Sequence, residues 1–202
     1  MRGRASTVLA ASLLTIVAAC DASAAEPQSP MALTRDVLTR SNAIVKGQGD
    51  RKQKLAELSD LLRGFLDTDA LARLAAGKNL DGRSPEETKE FLTLFHEFFV
   101  RTYVQRLLLF DAPDFTYGEE KVNGDQAQVG TQVITPGDRF AVDYTLHRNA
   151  DGWRVTDIVV EGVSLAKNFR SQFDAAVAKD SFQGLLDRLR AKVSGTGQGN
   201  AL

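Results

Sequence analysis

The sequence predicts an α+β fold in which a curved, four-stranded antiparallel sheet is wrapped by N- and C-terminal helices. Three observations carry this prediction. Apolar residues recur at helical spacing before residue 110, they alternate with a period of two between residues 115 and 160, and helical spacing returns after Gly162. One face of the predicted sheet is apolar and the other is polar, as expected where helices cover one side.

The first 24 residues have the pattern of a secretory signal peptide, which does not belong to the fold. Arg2 and Arg4 precede an apolar core at residues 8–19. That core is about a dozen residues long, too short to span a bilayer of about 30 Å as a helix. Residues 22–24 (Ala-Ser-Ala) offer a small-residue cleavage site, so the protein is expected to leave the cytosol.

The only cysteine of the chain, Cys20, lies in a stretch that also matches a lipoprotein processing box. Two fates stay open: Cys20 is removed with the leader, or it carries lipids that tether the protein to a membrane. After the leader, residues 25–193 are predicted to form a single domain, and the Gly- and Ser-rich residues 194–202 a disordered tail. A formal net charge of −1 gives no reason to expect nucleic-acid binding.

Three helices are predicted in the first part of the domain. The first ends near Gly47, the second follows it, and the third is capped by Asp67 and stops at Gly77. Their apolar positions are Leu33, Val37, Ile44 and Val45 in the first, Leu55, Leu58, Leu62 and Phe65 in the second, and Leu71 and Leu74 in the third.

A fourth helix has the best-defined start. Ser84 is predicted as its N-cap, Pro85 as its first residue and Glu87 as the capping-box partner of the serine. It is expected to run to about Leu109, which is roughly 25 residues or about 38 Å. Its aromatic surface is broader than the stripe of a surface helix. Two interpretations stay open: a central helix buried on most sides, or a helix that lines a cavity with part of this surface.

Four strands follow, separated by turn sequences at 123–124 (Asn-Gly), 136–137 (Pro-Gly) and 149–152. In the third strand, Phe140, Val142, Tyr144 and Leu146 share one face. The strands are predicted at about 115–122, 126–135, 139–148 and 153–160.

Asp157 is unusual because it shares the alternation class of Trp153 and Val155, on an apolar face. A carboxylate placed there needs hydrogen-bond partners. The favoured interpretation is a structural network to backbone N–H groups near Gly162 or to Arg170. The alternative is a role with a lipid headgroup or in catalysis.

Residues 162–166 (Gly-Val-Ser-Leu-Ala) nearly match the nucleophile elbow of serine hydrolases, centred on Ser164. Such an enzyme needs a histidine base after the serine, and both His96 and His147 precede it. Ser164 is therefore predicted to cap the helix that follows. Two distant histidines and no cysteine after the leader also argue against a zinc site, and no nucleotide-binding loop occurs. We expect no cofactor, no metal and no catalysis.

The stretch from Trp153 to Phe173 resembles the MlaC family, also called the toluene-tolerance family, of periplasmic lipid carriers. Members carry the pattern W-x-V-x-D-x-x-x-E-G-V-S-L followed by an aromatic-R-x-x-F segment. The matching residues here are Trp153, Val155, Asp157, Glu161, Gly162, Val163, Ser164, Leu165, Phe169, Arg170 and Phe173. The resemblance extends, more weakly, over the order of elements in most of the mature chain.

This resemblance implies a monomeric clamp in the periplasm that holds phospholipid tails between sheet and helices, with the headgroup left to solvent. It also implies exchange with an outer-membrane lipoprotein–porin complex and an inner-membrane ABC transporter complex. Relatives also occur beside hopanoid-synthesis enzymes, so both cargoes stay open. The expected wall residues are Phe95, Phe99, Tyr103, Val133, Phe140, Val142, Tyr144, Phe169, Phe173, Leu185 and Leu189.

Two alternatives remain. The first is an adaptor module that fills its interior with its own side chains and docks a partner helix. The second is an envelope hydrolase that uses Ser164. The cations Arg51, Lys52 and Lys54 are interpreted as a solvated helix face rather than a partner site.

Overall fold

The computed structural model describes residues 28–108 and 112–195 of the 202-residue chain. The predictions for the leader, for Cys20 and for nearly all of the tail lie outside these residues. Within them, the α+β prediction is confirmed. The sheet is antiparallel with strands in sequential order, and it has five strands rather than four because a two-residue strand follows the fourth.

The helices are α1 (Pro30–Lys46), α2 (Arg51–Phe65), α3 (Thr68–Ala76), α4 (Pro85–Phe99), α5 (Gln105–Leu107), α6 (Leu165–Lys179) and α7 (Phe182–Ser194). A 3-10 turn (Gly77–Leu80) follows α3, and a π-helical turn (Val100–Val104) joins α4 to α5. The strands are β1 (Asp114–Asn123), β2 (Gln126–Thr135), β3 (Asp138–Asn149), β4 (Gly152–Val160) and β5 (Val163–Ser164).

The predicted helix starts are confirmed in atomic detail. The side chain of Asp67 accepts a hydrogen bond from the backbone N–H of Ala70, 2.8 Å away, at the start of α3. At the start of α4, Ser84 Oγ accepts from Glu87 N (3.1 Å) while Ser84 N donates to Glu87 Oε2 (3.0 Å). Each cap satisfies N–H groups that have no partner inside the helix.

The fourth helix differs from its prediction at its end. Regular α-helix stops at Phe99, after 15 residues, and the π-helical turn and α5 continue the chain to Leu107. A π-helical turn inserts an extra residue, so the side chains after it point about 100° away from where a straight helix would place them. The predicted end at Leu109 lies outside the described residues.

The four predicted strands are confirmed with ends within about two residues, but two register shifts interrupt them. One lies between Tyr117 and Glu120 in β1, and the other lies where β3 passes from Thr145 to Leu146. The second shift corrects the prediction for Asp157. One extra residue in β4 places Asp157 opposite Thr145, so Asp157 no longer shares a face with Val155.

Helices cover one face of the sheet, which we call the inner face. A single hydrophobic cluster joins this face to the helices and includes a group of aromatic rings on α4, α6 and α7. These rings are Phe91, Phe95, Phe98 and Phe99 of α4, Phe169 and Phe173 of α6, and Phe182 of α7. None of the helices in residues 28–108 and 112–195 is long and apolar enough to cross a membrane.

Candidate functional site

The eleven predicted wall residues all belong to, or pack against, the one hydrophobic cluster between sheet and helices. They form three groups within it. Val133, Phe140, Val142 and Tyr144 lie on the inner face of the sheet; Phe95, Phe99, Tyr103, Phe169 and Phe173 form the aromatic side of the helices; and Leu185 and Leu189 lie on α7.

The inner face is less well covered at one end of the sheet than at the other. At one end, Ala127, Leu146 and Val155 form a row across three strands, and each is at most 3% exposed. We call this row the closed end.

At the other end, Phe115, Val133 and Phe140 form a row across β1, β2 and β3. Phe115 and Phe140 are only half-buried, although both are large and apolar. We call this row the open end, because an apolar surface that the protein leaves partly uncovered is available to a ligand.

Tyr103 is the half-buried edge of the aromatic group. Its ring stacks on Phe99 at 4.6 Å between centroids and meets Phe169 edge-on at 6.1 Å. Burial raises the pKa of the Tyr103 phenol, while the guanidinium of Arg106, 5.6 Å from the ring centroid, acts in the opposite direction. Because the π-helical turn holds Tyr103, the direction of this ring depends on a feature that the sequence pattern did not reveal.

The remaining helical wall residues are packed as ordinary core. Phe95, Phe173, Leu185 and Leu189 have no exposed surface. Their side chains pack α4, α6 and α7 together, and the ring centroids of Phe95 and Phe173 are 6.1 Å apart. In this closed packing, a lipid tail reaches these four side chains only if the helices separate from the sheet.

Two hydroxyl groups lie on the otherwise apolar inner face. Burial raises the pKa of Tyr144 to about 12, against the opposing effect of its hydrogen bond with Thr131. The Thr131 hydroxyl in turn donates to the backbone oxygen of Val142 at 3.0 Å. The Thr131 hydroxyl therefore has a partner within the protein and does not require a ligand.

The motif residues Asp157 and Ser164 fasten the start of α6 to β4. Ser164 Oγ accepts from Lys167 N at 3.1 Å, which confirms the predicted N-cap, and donates to Asp157 Oδ2. Asp157 Oδ1 accepts from Ala166 N at 3.0 Å and from Ile158 N at 2.9 Å. The predicted network of Asp157 therefore exists.

The histidines take other partners. His96 Nδ1 lies 2.9 Å from the hydroxyl of Thr68, and His147 lies opposite Arg154 in the sheet. The hydrogen-bond partners of the Ser164 hydroxyl are instead the Asp157 carboxylate and the backbone N–H of Lys167.

Arg170 does not reach Asp157, as one form of the prediction had it, but closes the end of α3. Its Nε donates to the backbone oxygen of Leu74 at 3.0 Å, and its guanidinium lies against Gly77. Gly77 has φ +52°, and a Cβ there would overlap the guanidinium. The cation also interacts favourably with the C-terminal end of the helix.

The turn at Glu161 and Gly162 leads into β5, a two-residue strand that the sequence pattern did not predict. Both residues have positive φ, 49° and 75°, and together they reverse the chain between β4 and β5. Glu161 N donates to Ala141 O at 3.0 Å, and its carboxylate accepts from Ala141 N. A dipeptide ending in glycine between two apolar runs was the available signal.

Trp153, the first motif residue, is 8% exposed and lies near the closed end, with the Arg148 guanidinium 5.2 Å from its ring centroid. Among the described residues, no group of three or more His, Cys, Asp or Glu side chains is placed to hold a metal ion.

Comparison with known proteins gives consistent results. A family model described as MlaC protein matches residues 32–191. The toluene tolerance protein ttg2D of Pseudomonas putida is 27% identical over 126 residues, which are 61% of this chain and 59% of that protein's length.

Among solved structures, the phospholipid-binding protein of Ralstonia solanacearum, in complex with a phospholipid, superposes with a TM-score of 0.72. It is 23% identical, and the match covers 82% of this chain and 97% of that one. At this identity the likeness establishes the fold.

Proposed function

The chain belongs to the MlaC protein family, and we propose that it is a periplasmic carrier that binds phospholipid. The observation that carries this proposal is the uneven cover of the inner face, which leaves Phe115 and Phe140 half-buried at the open end. The fold is that of a Ralstonia solanacearum protein whose structure contains a phospholipid.

In the proposed complex, lipid tails enter between the inner face and the helices from the open end. Exposing a tail to water costs about 0.8 kcal/mol for each CH₂ group, so a carrier must enclose most of its length. Val133 and Val142 line the sheet side of this path, and Tyr103 and Phe169 line the helical side. Apolar walls of this kind accept tails of many structures, and the headgroup stays near the open end.

The rest of the proposal concerns where the carrier works. The leader directs the chain out of the cytosol, and Cys20 is either removed or becomes a membrane tether. The carrier then exchanges lipid with an outer-membrane lipoprotein–porin complex and an inner-membrane ABC transporter complex. Its activity is binding rather than catalysis, and the capping role of Ser164, the serine of the elbow-like motif, supports this.

Native mass spectrometry of the protein, secreted with its own leader and purified without detergent, tests the proposal. We expect a discrete added mass that lipid extraction identifies as phospholipid. A hopanoid in its place would change the cargo and keep the carrier. A protein that stays bare even after incubation with lipid vesicles would overturn the carrier and favour the adaptor.

A further inference from the structure

Exposed apolar side chains surround the open end. Val163 of β5 is 58% exposed, and it lies opposite Val160, which lies opposite Val142 of the inner face. Phe140 lies two residues beyond Val142 on the same face and is half-buried. The apolar surface therefore runs from the interior of the interface out to solvent without interruption.

A strongly basic turn joins α1 to α2. Residues 46–54 contain four cations and one carboxylate. The carboxylate, Asp50, caps α2 by accepting from Gln53 N at 2.8 Å. Lys46, Arg51 and Lys52 are exposed, and no ion pair joins them to a carboxylate of the described chain. We call residues 46–54 the basic turn.

Two anchors place the basic turn at the open end. Asn42 Nδ2 of α1 donates to the backbone oxygen of Pro113 at 2.7 Å, directly before β1 and Phe115. Lys46 lies one helical turn further, about 6 Å along the axis. At the other end of α2, Leu66 bridges to Val155 in the row of the closed end.

The lengths of the elements agree with this placement. The 15 residues of α2 span about 22 Å, and the six residues from Leu146 to Phe140 along β3 span about 20 Å. Together with the anchor at Asn42, this match in length places the start of α2 near the row of Phe140.

The charge of the basic turn is not explained by the stability of α2. The N-terminal end of a helix carries partial positive charge, so Arg51 and Lys52 in the first turn repel it, and no acidic residue lies in that turn. Among the described residues beside the open end, the carboxylates other than Asp50 lie on the strand side: Asp114, Asp138 and Glu161, the last two accepting from the backbone N–H of Arg139 and Ala141. The open end is thus positive on its helical side.

We infer that the open end, with Val163 at its rim and the basic turn beside it, docks on the surface of an anionic phospholipid bilayer. This inference deepens the proposed function and rests on it for the lipid that is exchanged. Cations attract anionic headgroups, and apolar side chains beside them enter the interfacial layer. Docking in this orientation places the apolar path against the bilayer, so a tail passes between the two without crossing water.

Vesicle flotation with the full secreted chain tests the inference, using vesicles of phosphatidylglycerol and phosphatidylethanolamine against vesicles of phosphatidylcholine alone. The test variants are the pair Arg51→Glu with Lys52→Glu, and Val163→Glu. The matched controls are Lys179→Glu, about 22 Å away at the other end of α6, and Val122→Glu, which is 55% exposed opposite Ala127 of the closed end.

We expect wild type and both controls to bind the anionic vesicles, and salt to weaken that binding. Both test variants should bind roughly tenfold more weakly or worse, since the first turns the attraction of two cations into repulsion and the second removes an apolar contact. Equal binding by all five proteins, or equal binding to neutral vesicles, would overturn the inference. The inference would also be overturned if the test variants bound vesicles normally and lost only the exchange of lipid with a membrane protein. That result would identify a protein partner.

Native mass spectrometry of the same preparations separates this result from the fate of the proposed function. Test variants that retain bound phospholipid but fail to bind vesicles support the docking surface. A wild-type protein that carries no lipid refutes the carrier, whatever the vesicles show.

Discussion

Ser164 and Asp157 illustrate how single residues in the family motif maintain the fold. The serine caps α6 and also donates to the carboxylate of Asp157, which holds two further N–H groups. Sequence alone predicted the cap, because capping depends on neighbours within the next three residues. The face of Asp157 was not predictable, because the extra residue in β4 is set by pairing with β3.

The role of Ser164 is tested by replacing it with alanine. Ser164→Ala should lower the free energy of unfolding by about 2 kcal/mol or more, since it removes a cap and also the hydroxyl that donates to Asp157 Oδ2. Ser181→Ala is the matched control, because Ser181 caps α7 through Gly184 N in the same manner without a carboxylate partner. Urea denaturation of both variants measures the difference, and an equal loss would show that the Asp157 contact contributes nothing.

Tyr144 predicts a response to alkaline pH. Its pKa is about 12 in the folded protein and near 10 when unfolded, so the unfolded chain loses its proton first. Its contribution to stability is complete below pH 10 and declines as pH rises from 10 towards 12, by at most about 1.4 kcal/mol per pH unit. Tyr144→Phe should show a shallower decline in denaturation measured between pH 9 and 11. The same slope in both proteins would contradict this assignment.

At the scale of elements, the helix starts were predictable and the irregular segments were not. Ser84, Pro85 and Glu87 form a local signal that does not depend on the tertiary structure around it. The π-helical turn after Phe99 carries no such signal, because it depends on how Tyr103 stacks on Phe99 and meets α6. The hydrogen bond from Arg170 of α6 to the backbone oxygen of Leu74 in α3 carries no such signal either, because the two residues are 96 positions apart.

A substitution at Gly77 tests the contact between Arg170 and the end of α3. Gly77→Ala should destabilise the protein by about 2–3 kcal/mol, because alanine is strained at φ +52° and its methyl group displaces Arg170. Gly82→Ala is the control: Gly82 also has positive φ, 72°, but a Cβ there meets nothing within 4 Å. In an Arg170→Ala background the cost at Gly77 should fall, as measured by chemical denaturation, because only the backbone strain remains. An unchanged cost would mean that the backbone alone accounts for it.

At the scale of the whole molecule, sequence identified which residues face the interior but not which end of the interior is open. Alternation in β3 correctly grouped Val142 with Tyr144 and Phe140. It did not distinguish Phe140, which is half-buried, from Leu146, which is fully buried, because that difference depends on where the helices end. Phe115 was omitted from the predicted walls for the same reason.

The position of the lipid path is tested on neighbouring strands. Val142→Glu places a charge on the inner face and should abolish phospholipid retention in a folded protein, since the carboxylate cannot be solvated beside a tail. Gln132→Glu places the same charge on the exposed outer face of β2 and should retain lipid. Circular dichroism confirms folding, and native mass spectrometry reads the lipid. Retained lipid in folded Val142→Glu would exclude that wall.

The aromatic group on α4 also has a consequence for the growing chain. Phe91 and Phe95 lie near the middle of the chain, whereas Phe169, Phe173 and Phe182, whose rings pack against them, lie nearer the C-terminus. During synthesis, the aromatic surface of α4 stays uncovered until nearly the whole polypeptide has emerged. The domain therefore completes its folding late, and a nascent chain remains extended enough to be threaded or held by a chaperone until its last two helices arrive.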